Sequence, residues 1–512
     1  MVSRRKASVR NASTALLTQI INLLGKFVVQ TIFIHTLGTK YLGANGLFTN
    51  IITFLSFAEL GIGAALSYSF YKPIANKDYK AINAITNLYR KVYNAIGWII
   101  LVLGLSLSYF VPFLVKSSGS IDHLRSYFVL FLLSSVVSYF FTYNRSLIIA
   151  NQEGYVDSVN QLVFSIAKYI FQIVSLVFFE SYIGFLIVQV MTNLLSNFAI
   201  TRLAHRKYPF LLDDKKIMPN KDVISEIKKN VIGTISSKVG SIVVNGTDNI
   251  LISKFIGLSV VGLYSNYSLV VTGITSLLGQ VLNSVVASFG NLGVSEKNNI
   301  KKQIDLFNQF VFYNGFMAIF IGLLLYILFQ PFISVWLGPK YQLTDLTLSI
   351  IVINFVLAQF RPALFLVNAY GLFWGYRYKS IVEASVNFCL SFYLVKYTGL
   401  GINGVLIGTI VGNLIVNSWW DPMILFTGAF HKGIFKFYLQ YIYYIIVFLT
   451  MLLCEIMIVH YFKFHVINFM NLILYGVICA LVIGAILIGL LGLTTGGKSA
   501  IKNVLYRFKN IR

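Results

Sequence analysis

The chain alternates long apolar runs with short polar turns and shows no sustained period-two alternation. A run of roughly 20 apolar residues is long enough for a helix to cross a bilayer. Barrel strands would be about half that length and alternating. The pattern predicts an all-α polytopic membrane protein of about 14 helices. These lie at 12–37, 42–70, 88–115, 126–150, 156–179, 182–201, 231–256, 260–290, 308–336, 345–370, 378–397, 400–427, 437–460 and 469–492. The longest polar connection, 202–230, contains Pro209 and Pro219 and divides two blocks of six helices. The expected organisation is a six-helix lobe over 1–201, a cytoplasmic linker over 202–230 and a second lobe over 231–430. Residues 431–512 add two further helices and a basic tail. The first apolar run is too long for the h-region of a cleaved signal peptide.

Composition supports this class: 57% of residues are hydrophobic and 11% charged, against about 25% charged in soluble domains. The net charge of +24 would suit nucleic acid, but its placement points elsewhere. Of the 41 Lys and Arg, 29 lie on one alternate set of connections, 7 on the opposite set and 5 inside spans. This bias predicts that both termini are cytoplasmic. The charge therefore reports topology and attraction to anionic headgroups. Cys389, Cys454 and Cys479 lie in apolar runs and form neither a metal spacing nor a disulfide framework.

One turn occurs twice. Leu37-Gly-Thr-Lys-Tyr-Leu-Gly43 and Ile256-Gly-Leu-Ser-Val-Val-Gly262 place their glycines 219 residues apart, each closing the first span of its block. A polar-aromatic helix start follows each, Asn45–Phe48 in one and Tyr264–Tyr267 in the other. An offset of six spans preserves orientation, so the blocks read as parallel repeats about an axis along the membrane normal. Such an arrangement puts a site between the halves near the midplane.

Charges sit inside these spans. Lys26 and Lys168 are near mid-span, Arg145 is late in the fourth span, Lys238 early in the seventh and Arg361 past the middle of the tenth. The embedded acids of the core are Glu59 and Asp248. Glu383 and Asp421 are close enough to helix ends to snorkel, and Glu455 lies in the thirteenth span. Each central cation costs on the order of 2.5–3.5 kcal/mol on the insertion scale. Two acids do not neutralise five cations, so the remaining charge is expected to face water or an anionic ligand. Arg145 and Arg361 occupy spans that correspond under the repeat, and paired guanidinium groups suit a diphosphate. The expected substrate-binding set is Arg145, Arg361, Lys26, Lys168 and Lys238. Asp248 and Glu59 are expected to balance charge or to couple to a cation, Na⁺ or H⁺.

Gly492–Ser499 satisfies the Walker A pattern formally, but it follows a membrane helix and no strand. It reads as a helix exit loop. Neither HExxH nor a nucleophile elbow occurs, so no catalytic residue, metal site or cofactor is expected.

Several motifs together resemble a known family. They are Arg10–Ser13, Leu37–Gly43, Asn45–Phe48, Leu55-Ser-Phe-Ala-Glu-Leu-Gly-Ile-Gly63, Tyr71-Lys-Pro73, Thr247–Ser253, Trp336-Leu-Gly338, Gly371–Trp374, Arg377-Tyr-Lys379 and Gly404–Thr409. In this order they resemble the Wzx-type repeat-unit polysaccharide flippases of the multidrug/oligosaccharidyl-lipid/polysaccharide exporter superfamily. The resemblance runs from about residue 10 to 430. It implies two six-helix lobes in a V around a central cationic cavity, plus two extra helices. It implies movement of an undecaprenyl-diphosphate-linked oligosaccharide from the inner to the outer leaflet of a bacterial cell membrane by alternating access. The partners it implies are that substrate, the bilayer and the polysaccharide polymerase machinery, with no nucleic acid and a monomeric chain. Two other classes remain open: a multidrug exporter of the same fold, and a membrane-embedded polymerase or acyltransferase.

Overall fold

In a computed structural model the chain is mostly helical over its described residues, which are 4–59, 62–116, 121–151, 153–212, 217–221, 223–225, 227–228, 246–295, 299–376, 378–431, 434–461 and 468–509. Two compact units form, Met1–Ser265 and Asn266–Arg512.

The first unit contains α1 (Arg4–Thr36), α2 (Gly38–Leu55), α3 (Ile62–Ser69), α4 (Tyr71–Ala75), α5 (Tyr79–Ser108), α6 (Leu124–Tyr139), α7 (Thr142–Ala150), α8 (Gly154–Phe179) and α9 (Tyr182–Lys207). A helix described over 246–255, α10, follows. Helix α11 (Leu258–Ser295) begins in this unit and ends in the next. The second unit continues with α12 (Ile300–Trp336), α13 (Asp345–Gln359), α14 (Pro362–Ala369), α15 (Lys379–Tyr397), α16 (Ile402–Gly412), α17 (Ser418–Leu425), α18 (Phe435–Tyr461), α19 (Phe469–Leu491) and α20 (Thr495–Lys509).

Among the described residues ten spans are long and apolar enough to cross a membrane, and the bent pair α6–α7 makes an eleventh. The other three expected spans are less regular. Span 2 divides into α2, a 3-10 turn over Ser56–Glu59 and α3. Span 7 is described only from residue 246. Span 11 is α15, 19 residues long and carrying Lys379, Glu383 and Lys396. Helices α8, α18 and α19 carry exposed apolar stripes, such as Val159, Val163, Ile166 and Ile170 on α8. That spacing is one helix face, as expected of a surface that meets lipid tails. The molecule is a multi-pass membrane protein.

The recurring turn takes the same form twice. Gly38 and Gly257 both have positive φ, +81° and +133°, where glycine avoids the Cβ penalty. Just before them Leu37 N–H donates to the Phe33 carbonyl at 2.8 Å and Ile256 N–H to the Ile252 carbonyl at 2.9 Å. These bonds are also offset by 219 residues. Within the first unit the two helix starts then cross reciprocally. A Cβ on Gly43 would overlap the Leu258 carbonyl oxygen, and one on Gly262 would overlap that of Thr39. Thr39 and Leu258 are again 219 apart. A two-fold pseudosymmetric crossing produces this exchange of partners, so the repeat is structural as well as sequential. Asn50 strengthens the neighbouring contact, donating to the Gly246 carbonyl and accepting from Asn249.

The Walker-like loop is a helix exit. Helix α19 ends at Leu491 and Thr494 Oγ1 accepts from Gly497 N–H, starting α20.

Because a carbonyl of the crossing helix cannot move aside, Gly43→Ala is expected to lose on the order of 1–3 kcal/mol. Gly279→Ala, which meets nothing within 4 Å, should leave stability unchanged or slightly raised. Thermal unfolding of the two purified variants in detergent checks the contrast.

Candidate functional site

Two spans that correspond under the repeat are broken, and each carries an arginine at or just past its break. In the fourth span α6 and α7 meet at a bend of 43°. Thr142 Oγ1 donates to the Ser138 carbonyl at 2.7 Å, a back-bond of the type that bends helices. In the tenth span Pro362 supplies the break. It lacks an N–H and disfavours helical backbone in the residue before it. Arg361 accordingly has φ −128° and ψ 60° and caps α14.

In the first unit Arg145 reaches into the angle between α8 and α9. Its Nη1 donates to Asp157 Oδ1 at 2.6 Å, an ion pair. Its Nε and Nη2 donate to Asn197 Oδ1 at 3.2 and 3.1 Å, and Nη2 also to Ser196 Oγ at 2.9 Å. Gln161 donates to the other Asp157 oxygen at 2.7 Å. The guanidinium is thus fixed by three groups, and its side chain is 17% exposed. It borders a cavity of about 320 Å³ lined by Ser138, Thr142, Gln161, Lys168, Asn193 and Asn197, among others. Among the described residues two cations line the cavity and no carboxylate does. Helix α1 lies against α8, with Tyr169 on Gly25 and its hydroxyl donating to Asn22 Oδ1 at 3.1 Å.

In the second unit the arrangement closes on itself. Asp421 of α17 is 2% exposed and takes Arg361 Nη2 at 2.7 Å and Lys379 Nζ at 2.5 Å. Asn417, on a π-helical turn over Asn413–Asn417, donates to Glu383 Oε1 at 2.7 Å and to Asn413 Oδ1 at 2.6 Å. Beside Arg361 only about 10 Å³ remains, bounded also by Phe437 and Tyr441 of α18. That is roughly room for one water.

The sequence-predicted residues therefore fall in different settings. Arg145 and Lys168 share the cavity. Lys26, exposed on α1, is within electrostatic range of Lys168. Arg361 lies in the second cluster. Lys238 lies outside the described residues. Glu59 ends the 3-10 turn and accepts from Tyr93 Oη at 2.7 Å, at the edge of a stack in which Tyr93 lies between Tyr89 and Tyr139. Asp248 is half-buried on α10. The acids that pair with Arg145 and Arg361 are Asp157 and Asp421. Two expectations need correction. Asp421 does not snorkel, because it is enclosed between two cations. The charge balance of the core also includes Asp157 and Lys379, which the sequence count of embedded charges omits. A usable signal was Asp157's position in the first turn of the span following Arg145.

No protein-family model and no curated protein matches this sequence. Solved structures do. The lipid II flippase MurJ in an inward closed conformation aligns with a TM-score of 0.63 and 14% identity, over 93% of this chain and 98% of its own. An inward-facing multidrug resistance MATE family transporter of the MOP superfamily aligns at 0.59 and 16% identity, over 81% and 98%. A MOP superfamily transporter from Pyrococcus furiosus, described as having a binding pocket of reverse polarity, aligns at 0.53 and 15% identity, over 84% and 97%. The chain has the fold of these MOP-type transporters. Their names are those of a flippase and transporters.

Removing the shared acid of the second cluster strands two buried cations, so Asp421→Ala is expected to cost about 3–5 kcal/mol. Asp157→Ala should cost less, since Arg145 keeps Asn197 and Ser196 and borders a cavity that water can enter. The ranking of the two unfolding midpoints checks this.

Proposed function

We propose that this chain is a flippase for an anionic, polyprenyl-diphosphate-linked oligosaccharide. It carries repeat units from the inner to the outer leaflet of a bacterial plasma membrane for surface polysaccharide assembly. The observation that carries this reading is the cavity of about 320 Å³ bordered by Arg145 and Lys168 with no carboxylate among the described residues of its lining. Its size lies within the range of small-ligand pockets, about 300–1,000 Å³. Guanidinium binds phosphate oxygens bidentately, and ammonium adds a point charge. The hydroxyls and amides of Ser138, Thr142, Gln161, Asn193 and Asn197 offer hydrogen bonds to sugar. Lys26 extends the positive field of Lys168.

In this reading the lobes form a V and alternate in access, as the family resemblance implies, and both termini face the cytoplasm. Lys238 adds cationic character in the second lobe, where Arg361 is taken up by Asp421. Asp248 and Glu59 balance charge or couple transport to Na⁺ or H⁺. The chain acts as a monomer and delivers its product to the polymerase machinery. A multidrug exporter of the same fold would handle cationic drugs, for which a cavity bordered by two cations is the wrong sign.

Loss of one charge-assisted contact costs about 1.5–3 kcal/mol, roughly 10–100-fold in affinity. Arg145→Ala and Lys168→Ala are therefore expected to reduce surface polysaccharide at normal protein level. Deletion of the gene should leave lipid-linked repeat units on the cytoplasmic leaflet. Unchanged surface polysaccharide in both Arg145→Ala and Lys168→Ala would remove the cationic site from the mechanism.

A further inference from the structure

Glu455 is a carboxyl group for which the flippase reading has no use. It lies on α18, outside the two six-helix blocks, and is 5% exposed. Neither of its oxygens has a hydrogen-bond partner among the described residues. Nearby α12 is a helix against which α18, α19 and α20 all lie.

Among the described residues the groups that face Glu455 are neutral. Tyr326 from α12, and Tyr475 and Cys479 from α19, are within electrostatic range of it. Asp345 and Ser349 of α13 lie beyond Tyr326. Helix α19 contains no Lys or Arg, and α12 contains them only at Lys301 and Lys302, in its first turn. On α18 the only one is Lys436, 19 residues before Glu455, or about 28 Å along a helix. His460 is exposed at the other end of α18. No cation on these three helices can pair with the carboxylate.

An ionised carboxylate in such a place must be paired, hydrated or neutralised. A metal cation would require several oxygen ligands, and the facing groups are two phenols and a thiol. Among the described residues no group of His, Cys, Asp and Glu could hold a metal.

We propose that Glu455 is a membrane-embedded proton-binding site, occupied by its proton in the arrangement described here. The reaction is a simple exchange, carboxylic acid to carboxylate plus a proton delivered to water. The nearer aqueous end is that of Tyr461, six residues on, or about 9 Å along the helix. The neutral acid is compatible with the close contact of α18 and α12, whereas the carboxylate needs water or a donor. Proton occupancy is thereby linked to the seating of the C-terminal helices on α12. This inference is independent of the substrate proposed above.

Infrared spectroscopy of the full chain in lipid nanodiscs tests it, comparing wild type with Glu455→Gln, the isosteric mimic of the protonated acid. At neutral pH the wild type should show a carboxylic-acid C=O stretch that is missing from the variant and moves on transfer to heavy water. A difference spectrum holding only ionised-carboxylate bands would overturn the proposal. Should Glu455→Gln fail to insert, a hydrophobic carbodiimide, which attacks protonated carboxyls, is applied to the wild type and mapped by mass spectrometry. Modification of Glu455 at neutral pH that fades in alkaline buffer supports the site, and an unmodified Glu455 overturns it.

Discussion

An arginine within a bilayer-spanning helix must be given either a counter-charge or water, and much of this structure follows from that requirement. Arg145 and Arg361 can each meet their partners because their helices are broken just before the one and at the other. In an unbroken helix the side chain would leave at the angle set by its register. The breaks at Phe140–Phe141 and at Phe360–Arg361 re-aim it toward the helices that supply Asp157, Asn197 and Asp421. The cause differs between the two: hydroxyl back-bonding in one, proline in the other. Similar positions are thus reached by different local chemistry, as a repeat allows once its halves have diverged.

The second constraint is steric. The crossing of α2 with the start of α11 brings backbone against backbone, which only glycine permits at Gly43 and Gly262. Gly38 and Gly257 serve another purpose, turning the chain through positive φ. The four glycines therefore divide into two pairs with separate roles. Contact at this crossing also explains why α10 and the first residues of α11 group with the first unit, although the linker over 202–230 precedes them.

Most of the fold was legible because its signals are local. Apolar run length marks the spans, and the 219-residue offset marks the repeat. Arg145 and Arg361 were found because a cation in an apolar run stands out against its neighbours. Their partners were not found, because pairing depends on rotation and depth between helices, which run length does not encode. Asp157 lies at a span start and Asp421 near a span end, where acids ordinarily reach water. Each is enclosed by tertiary contacts instead. Lys379 was overlooked for the same reason: at the very start of a span, two residues from Arg377, it is nevertheless 4% exposed and bound to Asp421.

Those pairings also separate the two halves. Around Arg145 the single acid lies to one side, leaving the guanidinium at the border of a cavity of about 320 Å³. Around Arg361 one acid is shared by two cations, and Phe437 and Tyr441 of α18 occupy the adjoining space. Tyr441 stacks on Phe360 with ring centres 4.9 Å apart, at the break itself. The first C-terminal extra helix thus fills in the second unit the kind of space that remains open in the first. Asp421 between the two cations, with Glu383 in electrostatic range of both and aromatic rings beside them, leaves little positive potential for an incoming anion. The inequality of the two halves is therefore chemical as well as geometric: one presents its arginine to a cavity, and the other spends its arginine on holding helices together.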